Sequence, residues 1–414
     1  MRAVEVGPVP AAERTQPAID LFLIWAGANI VATTLATGSS LPPGLSTADA
    51  LSIIAMGCLL GTALIAALVP LGPRLGVPSV IAARAALGIR GAALLSLFMY
   101  VSNFAWIAVN NVIAASACNH AVGGSAAAWA VVIGLVTTAV VAAGPRAVGL
   151  ADRVAVPIMV AIGLALTVRS LSLPGVAPDA PGGGVLGWLR GFDVVVGYQA
   201  SWMQMFADYS RYTRSSSRAA LAVFLGLGLT SLWFMSLGAL GARAVGSSDP
   251  AAIVAAAGLG AAGAALLALA TITTNFVNIY LSALAWKSLF PGARDAASIW
   301  FIGGVATVLS AFPGTWLARY ADFILVLGAL FVPVGGVFLS RFFLEREAVN
   351  VAALYDESGP YAGFNLPALA ACGLGVLAYV LARGMGGTLP AIFVAMAAHR
   401  LLRAGKPTTP PATA

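Results

Sequence analysis

Apolar stretches long enough to cross a lipid bilayer recur about twelve times along this 414-residue chain. A membrane-spanning helix needs roughly 20 predominantly apolar residues, and these stretches lack the strand-like alternation of a membrane barrel. Only 9% of the residues are charged, which is too few to cover a water-soluble globule of this length. The sequence therefore predicts an all-α polytopic membrane protein. The predicted spans are 18–40, 50–70, 91–119, 122–143, 150–171, 189–207, 217–243, 252–286, 296–312, 319–343, 364–383 and 385–402.

The basic residues are distributed unevenly between the two sides of these spans. If the N-terminus is cytoplasmic, 17 of the 22 Lys and Arg residues fall on the cytoplasmic side. The five on the outer side are Arg169, Arg190, Arg243, Arg319 and Arg383. The positive-inside rule therefore places both termini in the cytoplasm of a cell that carries this protein in its inner or plasma membrane. The pI near 9.7 is explained by the basic residues that orient the protein in the membrane. The lipid bilayer is therefore an expected partner, and nucleic acid is not.

No linker divides the chain, which is consistent with one membrane domain. A loop rich in Pro and Gly separates spans five and six, and two inverted five-helix repeats would join at such a midpoint. Both ends are polar and are expected to be disordered tails. The predicted segments are a cytoplasmic N-terminal tail (1–17), a first repeat (18–171), a connecting external loop (172–188), a second repeat (189–344), an internal loop with spans 11 and 12 (345–404) and a C-terminal tail (405–414).

Spans 1 and 6 each carry a glycine close to an amide side chain in mid-span. Gly27 lies near Asn29 in span 1, and Gly197 lies near Gln199 in span 6. This pattern is expected where a membrane helix is interrupted and its backbone groups bind a ligand. The alternative is that these glycines only allow neighbouring helices to pack closely.

Span 8 contains a polar cluster within an apolar run. It includes Thr271, Thr273, Thr274, Asn275 and Asn278. Unsatisfied polar groups in hydrocarbon cost several kcal/mol, so such side chains usually face a protein interior or a cavity. The cluster contains no acid or base, which favours coordination and hydrogen bonding over proton transfer.

Motifs for catalysis or resident metals are missing from the sequence. We find no paired intramembrane acids, no HExxH, no GxSxG elbow and no P-loop, so a membrane-embedded enzyme is only a remote alternative. The three cysteines have no metal-ligand or disulfide spacing; they are Cys58, Cys118 and Cys372.

Several short strings, in the same order over nearly the whole chain, resemble the nucleobase:cation symporter-1 family of purine, cytosine and hydantoin permeases. They are LGIRG (87–91), ADYSRY (207–212), TTN (273–275) and FFL (342–344), followed by Leu354, Tyr355, Gly359, Tyr361 and GFN (363–365). The resemblance implies a leucine-transporter-like fold with a 5+5 inverted repeat, discontinuous helices 1 and 6, and alternating access.

The resemblance also implies a sodium site and no other cofactor. Its ligands would be backbone carbonyl oxygens of Gly27, Ile30 and Ala270 and the hydroxyls of Thr273 and Thr274. Oxygen ligands suit a hard cation. The residues alone leave open that the two threonines bond back to their own helix.

Substrate positions implied by the resemblance lie on spans 3, 6 and 8. On span 3, Trp106 would stack on a flat ring while Asn103 and Asn110 share its helical face at i−3 and i+4. A core role for Trp106 is the alternative. On span 6, Gln199 occupies the position that is commonly aromatic in the family. Its neighbours Tyr198 and Ser201 and the span 8 amides Asn275 and Asn278 complete the predicted site.

The sequence thus predicts a secondary transporter that imports a small planar heterocycle of the cytosine, purine or allantoin type by cation symport. Sodium is favoured over the proton as the coupling ion. A permease for hydroxymethylpyrimidine or another thiamine precursor is the alternative within the same fold, suggested by Gln199 and Ser201. The oligomeric state stays open, and a monomer is compatible with the sequence.

Overall fold

The computed structural model describes residues 5–41, 45–171, 183–345 and 348–403, and these residues form helices and connecting turns without strands. The helices are α1 (Ala18–Asn29), α2 (Ala32–Ser39), α3 (Thr47–Leu68), α4 (Leu71–Leu75), α5 (Ser79–Ala82), α6 (Arg84–Leu87), α7 (Ile89–Val122), α8 (Ala126–Ala142), α9 (Pro145–Leu171), α10 (Gly184–Ser201), α11 (Ser216–Val245), α12 (Pro250–Ala256), α13 (Gly260–Leu289), α14 (Asp295–Ser310), α15 (Pro313–Ala318), α16 (Tyr320–Leu339), α17 (Leu366–Leu381) and α18 (Thr388–Arg403). The predicted all-α architecture is confirmed.

Within the described ranges, six helical segments are long and apolar enough to cross a membrane, and the bent pair α1 and α2 makes a seventh. There are three shorter apolar helices: α8 and α14 lie between these segments in sequence, and α17 follows the last of them. With α10 and α18 they account for the twelve predicted spans. The predicted eighth span begins too early, because the short α12 precedes α13 and is separated from it by a turn. Asp249 caps α12 by accepting a hydrogen bond from the backbone nitrogen of Ala251 at 2.9 Å.

The first span is broken, as predicted. α1 and α2 meet at an angle of 57° across two residues, Ile30 and Val31. The sixth span changes geometry later than expected: α10 runs unbroken through Gly197 to Ser201 and then continues as a 3₁₀ turn over Trp202–Met205. Gly197 packs against α16, where an added Cβ would lie 3.1 Å from the carbonyl oxygen of Ile324. Close helix packing therefore explains this glycine, and the interruption begins five residues beyond it, at Trp202.

The break in the first span lies beside two of the longest helices of the bundle, α7 and α13. α7 packs along α13, while α10 lies between α3 and α16, and α11 packs on α1, α2 and α3. α1 contacts α13, and α2 contacts both α7 and α13, so the α1–α2 break lies beside these two helices. The Tyr198 ring of α10 lies against the Trp106 ring of α7, with centroids 5.9 Å apart. The polar cluster of span 8 thus faces the centre of the bundle, since Asn275, Thr271 and Thr274 are all buried.

Glycines allow α2 and α11 to approach within backbone contact. A Cβ added to Gly38 would lie 1.9 Å from the carbonyl oxygen of Met235, and one added to Gly238 would lie 2.0 Å from that of Leu35. Each distance is far inside van der Waals contact, so only glycine fits at either position. Small residues at a membrane helix interface have this effect generally.

The N-terminal segment is ordered from Glu5, which corrects the expectation of a disordered tail for residues 5–17. The buried Val9 donates its backbone N–H to the Gly76 carbonyl at 2.8 Å. Arg211 donates to the carbonyl oxygen of Glu5, and the Tyr355 hydroxyl donates to that of Val6 at 2.7 Å. Residues 1–4 and the predicted tail 405–414 lie outside the described ranges, as does most of the predicted loop 172–188.

Candidate functional site

The break between α1 and α2 leaves backbone oxygens without their helical partners. The last helical bond of α1 joins the Ile30 nitrogen to the Ala26 oxygen at 3.1 Å, and Val31 is extended at φ −135° and ψ 162°. No backbone N–H in the described segments donates to the carbonyl oxygen of Gly27 or of Ile30. Carbonyls freed in this way can coordinate a cation at the centre of a membrane protein.

One hydroxyl of α13 reaches the oxygen atoms at this break. Thr274 Oγ1 donates to the carbonyl oxygen of Ala28 at 3.4 Å, so this side chain reaches across to α1. Thr273 Oγ1 instead donates to the Ala270 carbonyl of its own helix at 3.1 Å. The structure therefore brings Thr274 to the break and shows the back-bonded alternative for Thr273.

The donor set around the break consists of oxygen atoms. Across the described residues, no group of three or more His, Cys, Asp or Glu side chains could hold a metal ion. Hydroxyl and carbonyl oxygens fit a hard alkali cation and do not suit a softer transition metal. The five predicted ligands, Gly27, Ile30, Ala270, Thr273 and Thr274, thus lie on two adjacent segments with chemistry appropriate to sodium.

On α7, the Trp106 ring lies between two asparagines whose side-chain amides include buried atoms without hydrogen-bond partners in the described chain. Trp106 and Asn103 are buried, and neither Asn103 Nδ2 nor Asn103 Oδ1 has a hydrogen-bond partner in the described chain. Asn110 Oδ1, one helical turn beyond Trp106, also lacks a partner. Burying such atoms unpaired costs about 1–3 kcal/mol each, so this helix face is suited to a polar ligand.

The aromatic side chain opposite Trp106 is Tyr198. The two ring centroids are 5.9 Å apart with an interplanar angle of 83°, and Phe323 of α16 makes a similar edge contact with Trp106 at 5.1 Å. The Tyr198 hydroxyl lies 2.7 Å from the hydroxyl of Thr34 on α2. It also donates to Asn29 Oδ1 at 3.3 Å, beside the helix break. Tyr198 therefore links the ring site to the α1–α2 junction.

Gln199 faces a different helix, which corrects its expected position across from Trp106. Gln199 Nε2 donates to the Cys58 sulfur at 3.5 Å, and the side chain packs against Gly61, also on α3. An added Cβ at Gly61 would lie 2.4 Å from Gln199 Cβ, so this glycine makes room for the glutamine. Ser201 donates its hydroxyl to the Tyr198 carbonyl at 2.6 Å and is occupied by its own helix.

The amides of α13 form a network with those of α7. Asn275 Oδ1 accepts hydrogen bonds from Asn110 Nδ2 at 3.2 Å and from Asn278 Nδ2 at 3.1 Å. Asn275 Nδ2 donates to Asn111 Oδ1 at 3.0 Å. Asn111 in turn donates to the Ser310 hydroxyl on α14 at 3.0 Å. The structure thus brings Asn110, Asn275 and Asn278 together, as predicted.

Four residues of this region were not predicted from the sequence. Asn111 adjoins the predicted Asn110, and Trp202 adjoins the predicted Ser201, so their proximity in sequence was the available signal. The Trp202 ring centroid lies 6.4 Å from that of Tyr198. Phe323 and Ser310 lie on helices far away in sequence, and no local pattern identifies them.

The chain matches known transporters over most of its length. The family model described as permease for cytosine/purines, uracil, thiamine and allantoin matches residues 8–402. The chain is 27% identical over 383 residues to the cytosine permease of Escherichia coli strain K12, covering 88% of this chain and 89% of that protein. It is 26% identical over 398 residues to the putative purine-cytosine permease YxlA of Bacillus subtilis strain 168, covering 86% of this chain and 82% of that protein.

Solved structures show the same fold. The inward-facing conformation of Mhp1 aligns with a TM-score of 0.81 at 20% identity, covering 96% of this chain and 93% of that chain. Mhp1 in a closed conformation with bromovinylhydantoin bound, described as a nucleobase-cation-symport-1 family transporter, aligns with a TM-score of 0.80 at 20% identity, covering 96% and 95%. A Na⁺-coupled sialic acid symporter aligns more distantly, with a TM-score of 0.57 at 12% identity over 94% of this chain and 91% of that one. The protein is thus a multi-pass membrane transporter, not an enzyme, and it belongs to the nucleobase:cation symporter-1 family of permeases for cytosine, purines, uracil, thiamine and allantoin.

Proposed function

We propose that this permease imports a small planar nucleobase-like heterocycle, of the cytosine, purine or allantoin type, by symport with sodium. The heterocycle would bind between α7, α10 and α13, against Trp106 and Tyr198. Sodium would bind at the α1–α2 break against α13. The relatives named as cytosine and purine-cytosine permeases support this substrate class.

The observation that carries the proposal is the face of α7 around Trp106. An aromatic ring can stack on a flat heterocycle. The amide atoms of Asn103 and Asn110 that lack partners can form hydrogen bonds with its nitrogen and carbonyl groups. An apolar solute would leave these buried atoms unsatisfied.

Sodium is supported over the proton by the absence of a free carboxyl at this site in the described helices. Asp193, the acid on α10, accepts hydrogen bonds from the backbone nitrogens of Gly387 and Thr388 at 2.7 and 3.0 Å. Asp208, beyond the 3₁₀ turn, accepts from Ser79 Oγ through Oδ2, while its Oδ1 has no hydrogen-bond partner among the described residues. Within the described segments, no hydrogen bond joins either carboxylate to Trp106, to Tyr198 or to the α1–α2 break. The break itself offers neutral oxygens suited to an alkali cation.

The two residues that suggested a thiamine precursor, Gln199 and Ser201, do not support that alternative. Gln199 faces Cys58, and the Ser201 hydroxyl is bonded to its own helix, so neither is positioned to distinguish a hydroxymethyl group. The cytosine and purine class is therefore preferred. Both termini are proposed to be cytoplasmic because 17 of the 22 basic residues then lie on that side.

Thermal stabilisation of the purified protein tests the proposal. A panel of cytosine, uracil, adenine, hypoxanthine, allantoin and hydroxymethylpyrimidine would be measured in sodium and in choline chloride. A ligand that binds only the native state raises the free energy of unfolding by RT ln(1 + [L]/Kd). We expect one nucleobase-like ligand to raise the melting temperature, and to raise it more in sodium. Stabilisation by hydroxymethylpyrimidine alone would contradict the substrate class, and an equal shift in choline would contradict sodium coupling.

A further inference from the structure

A cavity of about 250 Å³ lies between the N-terminal segment and the beginning of α11. Three arginines line it: Arg14 from the N-terminal segment, Arg214 just before α11 and Arg218 in its first turn. The lining includes no Asp or Glu, and the acids nearest to Arg14 in sequence, Glu13 and Asp20, have exposed side chains outside it. The described part of the chain therefore gathers three positive charges in one cavity without a negative charge among them.

Arg14 is held in place by backbone carbonyl groups. Its Nε donates to the carbonyl oxygen of Val9 at 3.0 Å, and its Nη1 donates to that of Pro73 at 2.6 Å. Among the described residues, no carboxylate forms an ion pair with Arg14, Arg214 or Arg218. Like charges repel, so an anion bound between these guanidinium groups would lower their electrostatic energy.

The beginning of α11 adds to the positive potential of the cavity. Ser215, which lines the cavity, caps this helix by accepting a hydrogen bond from the backbone nitrogen of Arg218 at 3.4 Å. α11 is 30 residues long, and the free N–H groups in the first turn of a helix carry a positive partial charge. Guanidinium groups and helix N-termini both favour phosphate, which indicates the chemistry of the anion.

The size and position of the cavity suit a phosphate ester at the membrane boundary. Pockets for drug-sized ligands occupy about 300–1,000 Å³, and this cavity is somewhat smaller. Thr15, Arg214 and Arg218 have exposed side chains, so the cavity opens to the surface. α1 begins at Ala18 in the cavity lining, and α11 begins at Ser216. The cavity thus lies where two membrane-spanning segments begin.

Both of these helices expose apolar side chains within two turns of the cavity. Ile19 and Leu23 of α1 are 60% and 52% exposed, and Leu221 and Leu225 of α11 are 57% and 37% exposed. The two helices pack against each other. A ligand with a phosphate group and acyl chains can therefore use the basic cavity and the neighbouring apolar surface together.

We propose that the cavity binds the phosphate group of an anionic phospholipid, whose acyl chains lie on the exposed apolar side chains of α1 and α11. A free phosphate ion shares the chemistry of the headgroup but leaves the apolar surface unused. Basic pockets between membrane helices on the cytoplasmic side are a recurring kind of site for anionic headgroups. The leaflet follows from the proposed cytoplasmic termini, whereas binding itself does not depend on the transported substrate or the coupling ion.

Melting temperatures of the purified full-length protein in dodecyl maltoside test the proposal. The protein would be titrated with dioleoylphosphatidylglycerol, dioleoylphosphatidylcholine or potassium phosphate, without substrate and without sodium. A ligand specific for the native state raises the melting temperature in a concentration-dependent way. We expect phosphatidylglycerol to stabilise the protein at concentrations where phosphatidylcholine and free phosphate do not.

Paired arginine variants locate the effect. In Arg214→Gln with Arg218→Gln, the phosphatidylglycerol concentration for half-maximal stabilisation should rise on the order of tenfold, because two charged donors are lost. The matched control is Arg294→Gln with Arg400→Gln, which removes the same charge from exposed arginines outside the cavity and should leave this concentration unchanged. Arg214→Lys with Arg218→Lys keeps the charge but loses the planar donor pairs, so an intermediate rise is expected.

Several results would overturn the proposal. Equal stabilisation by the two lipids would show that the headgroup charge is not recognised, and an equal rise in both Gln pairs would reduce the effect to net charge. The full effect from potassium phosphate would exclude the lipid as the occupant. If the Gln pair at 214 and 218 does not fold, Arg218→Gln alone replaces it, and an unchanged lipid response there counts equally against the cavity. Failure of the substrate and sodium tests would leave these measurements unaffected.

Discussion

The hydroxyl of Thr274 lies 3.4 Å from the carbonyl oxygen of Ala28, at the point where α1 gives way to α2. This contact joins α13 to the interrupted helix, and a cation between them would be bound by both. Occupancy of the site would therefore stabilise the arrangement of α1 against α13. A ligand that depends on the same arrangement shares a coupling free energy with the ion.

Thr274→Ala should weaken the sodium dependence of substrate binding. The change removes one proposed oxygen ligand and leaves the carbonyl oxygens in place. We expect the sodium concentration for half-maximal substrate binding to rise about tenfold, measured by titrating sodium at fixed substrate. Ser282→Ala is the control, because it removes a buried hydroxyl of α13 that is bonded to its own helix. An unaltered sodium response in Thr274→Ala would show that this hydroxyl does not bind the ion.

Trp106→Ala should reduce substrate affinity by about 1–3 kcal/mol, the range measured for aromatic rings stacked on bases. Trp106→Phe keeps a smaller stacking surface and should lose less. The dissociation constant on purified protein measures both. Trp300→Ala removes a tryptophan that is 48% exposed on α14 and should leave affinity unchanged. Equal affinity in Trp106→Ala and the unmodified protein would place the substrate elsewhere.

Tyr198→Phe should separate substrate binding from its coupling to sodium. The ring that faces Trp106 is retained, while the hydroxyl bonds to Thr34 and Asn29 at the helix break are lost. We expect affinity without sodium to change little and the gain in affinity on adding sodium to fall by about 0.5–1.5 kcal/mol. Tyr379→Phe is the control, since its buried hydroxyl has no hydrogen-bond partner within the described segments. The coupling role would be refuted by a full sodium-dependent gain in Tyr198→Phe.

The sequence was sufficient for the features that depend on local composition. The apolar spans, the break after Asn29 and the polar cluster of α13 all follow from residues close together in the chain. Hydrocarbon tolerates few polar groups, so each such group in a span indicates an interior surface. That rule does not say what an individual side chain contacts.

The roles of Tyr198 and Gln199 could not be predicted, because successive residues of a helix point about 100° apart. Which of the two faces Trp106 depends on the rotation of α10 against α3. That rotation is set in part by Gly61, more than 130 residues earlier in the chain, which leaves room for Gln199. The amide network likewise ends at Ser310 of α14, which accepts from Asn111 and which no local pattern connects to it. Gly197 has the same local pattern as Gly27, but it packs against α16.

Gly38→Ala should destabilise the protein, because the new Cβ would lie 1.9 Å from the Met235 carbonyl oxygen and α2 would have to move from α11. Overpacking of this kind costs about 1–3 kcal/mol, and the melting temperature of the purified protein should fall accordingly. Gly373→Ala on α17 is the matched control: nothing lies within 4 Å of its added Cβ, and alanine favours a helix. Since α2 also carries Thr34, the Tyr198 contact and the sodium-dependent gain in substrate affinity should weaken together with stability in Gly38→Ala. A melting temperature equal to that of Gly373→Ala would mean that α2 and α11 are not in backbone contact in the membrane protein.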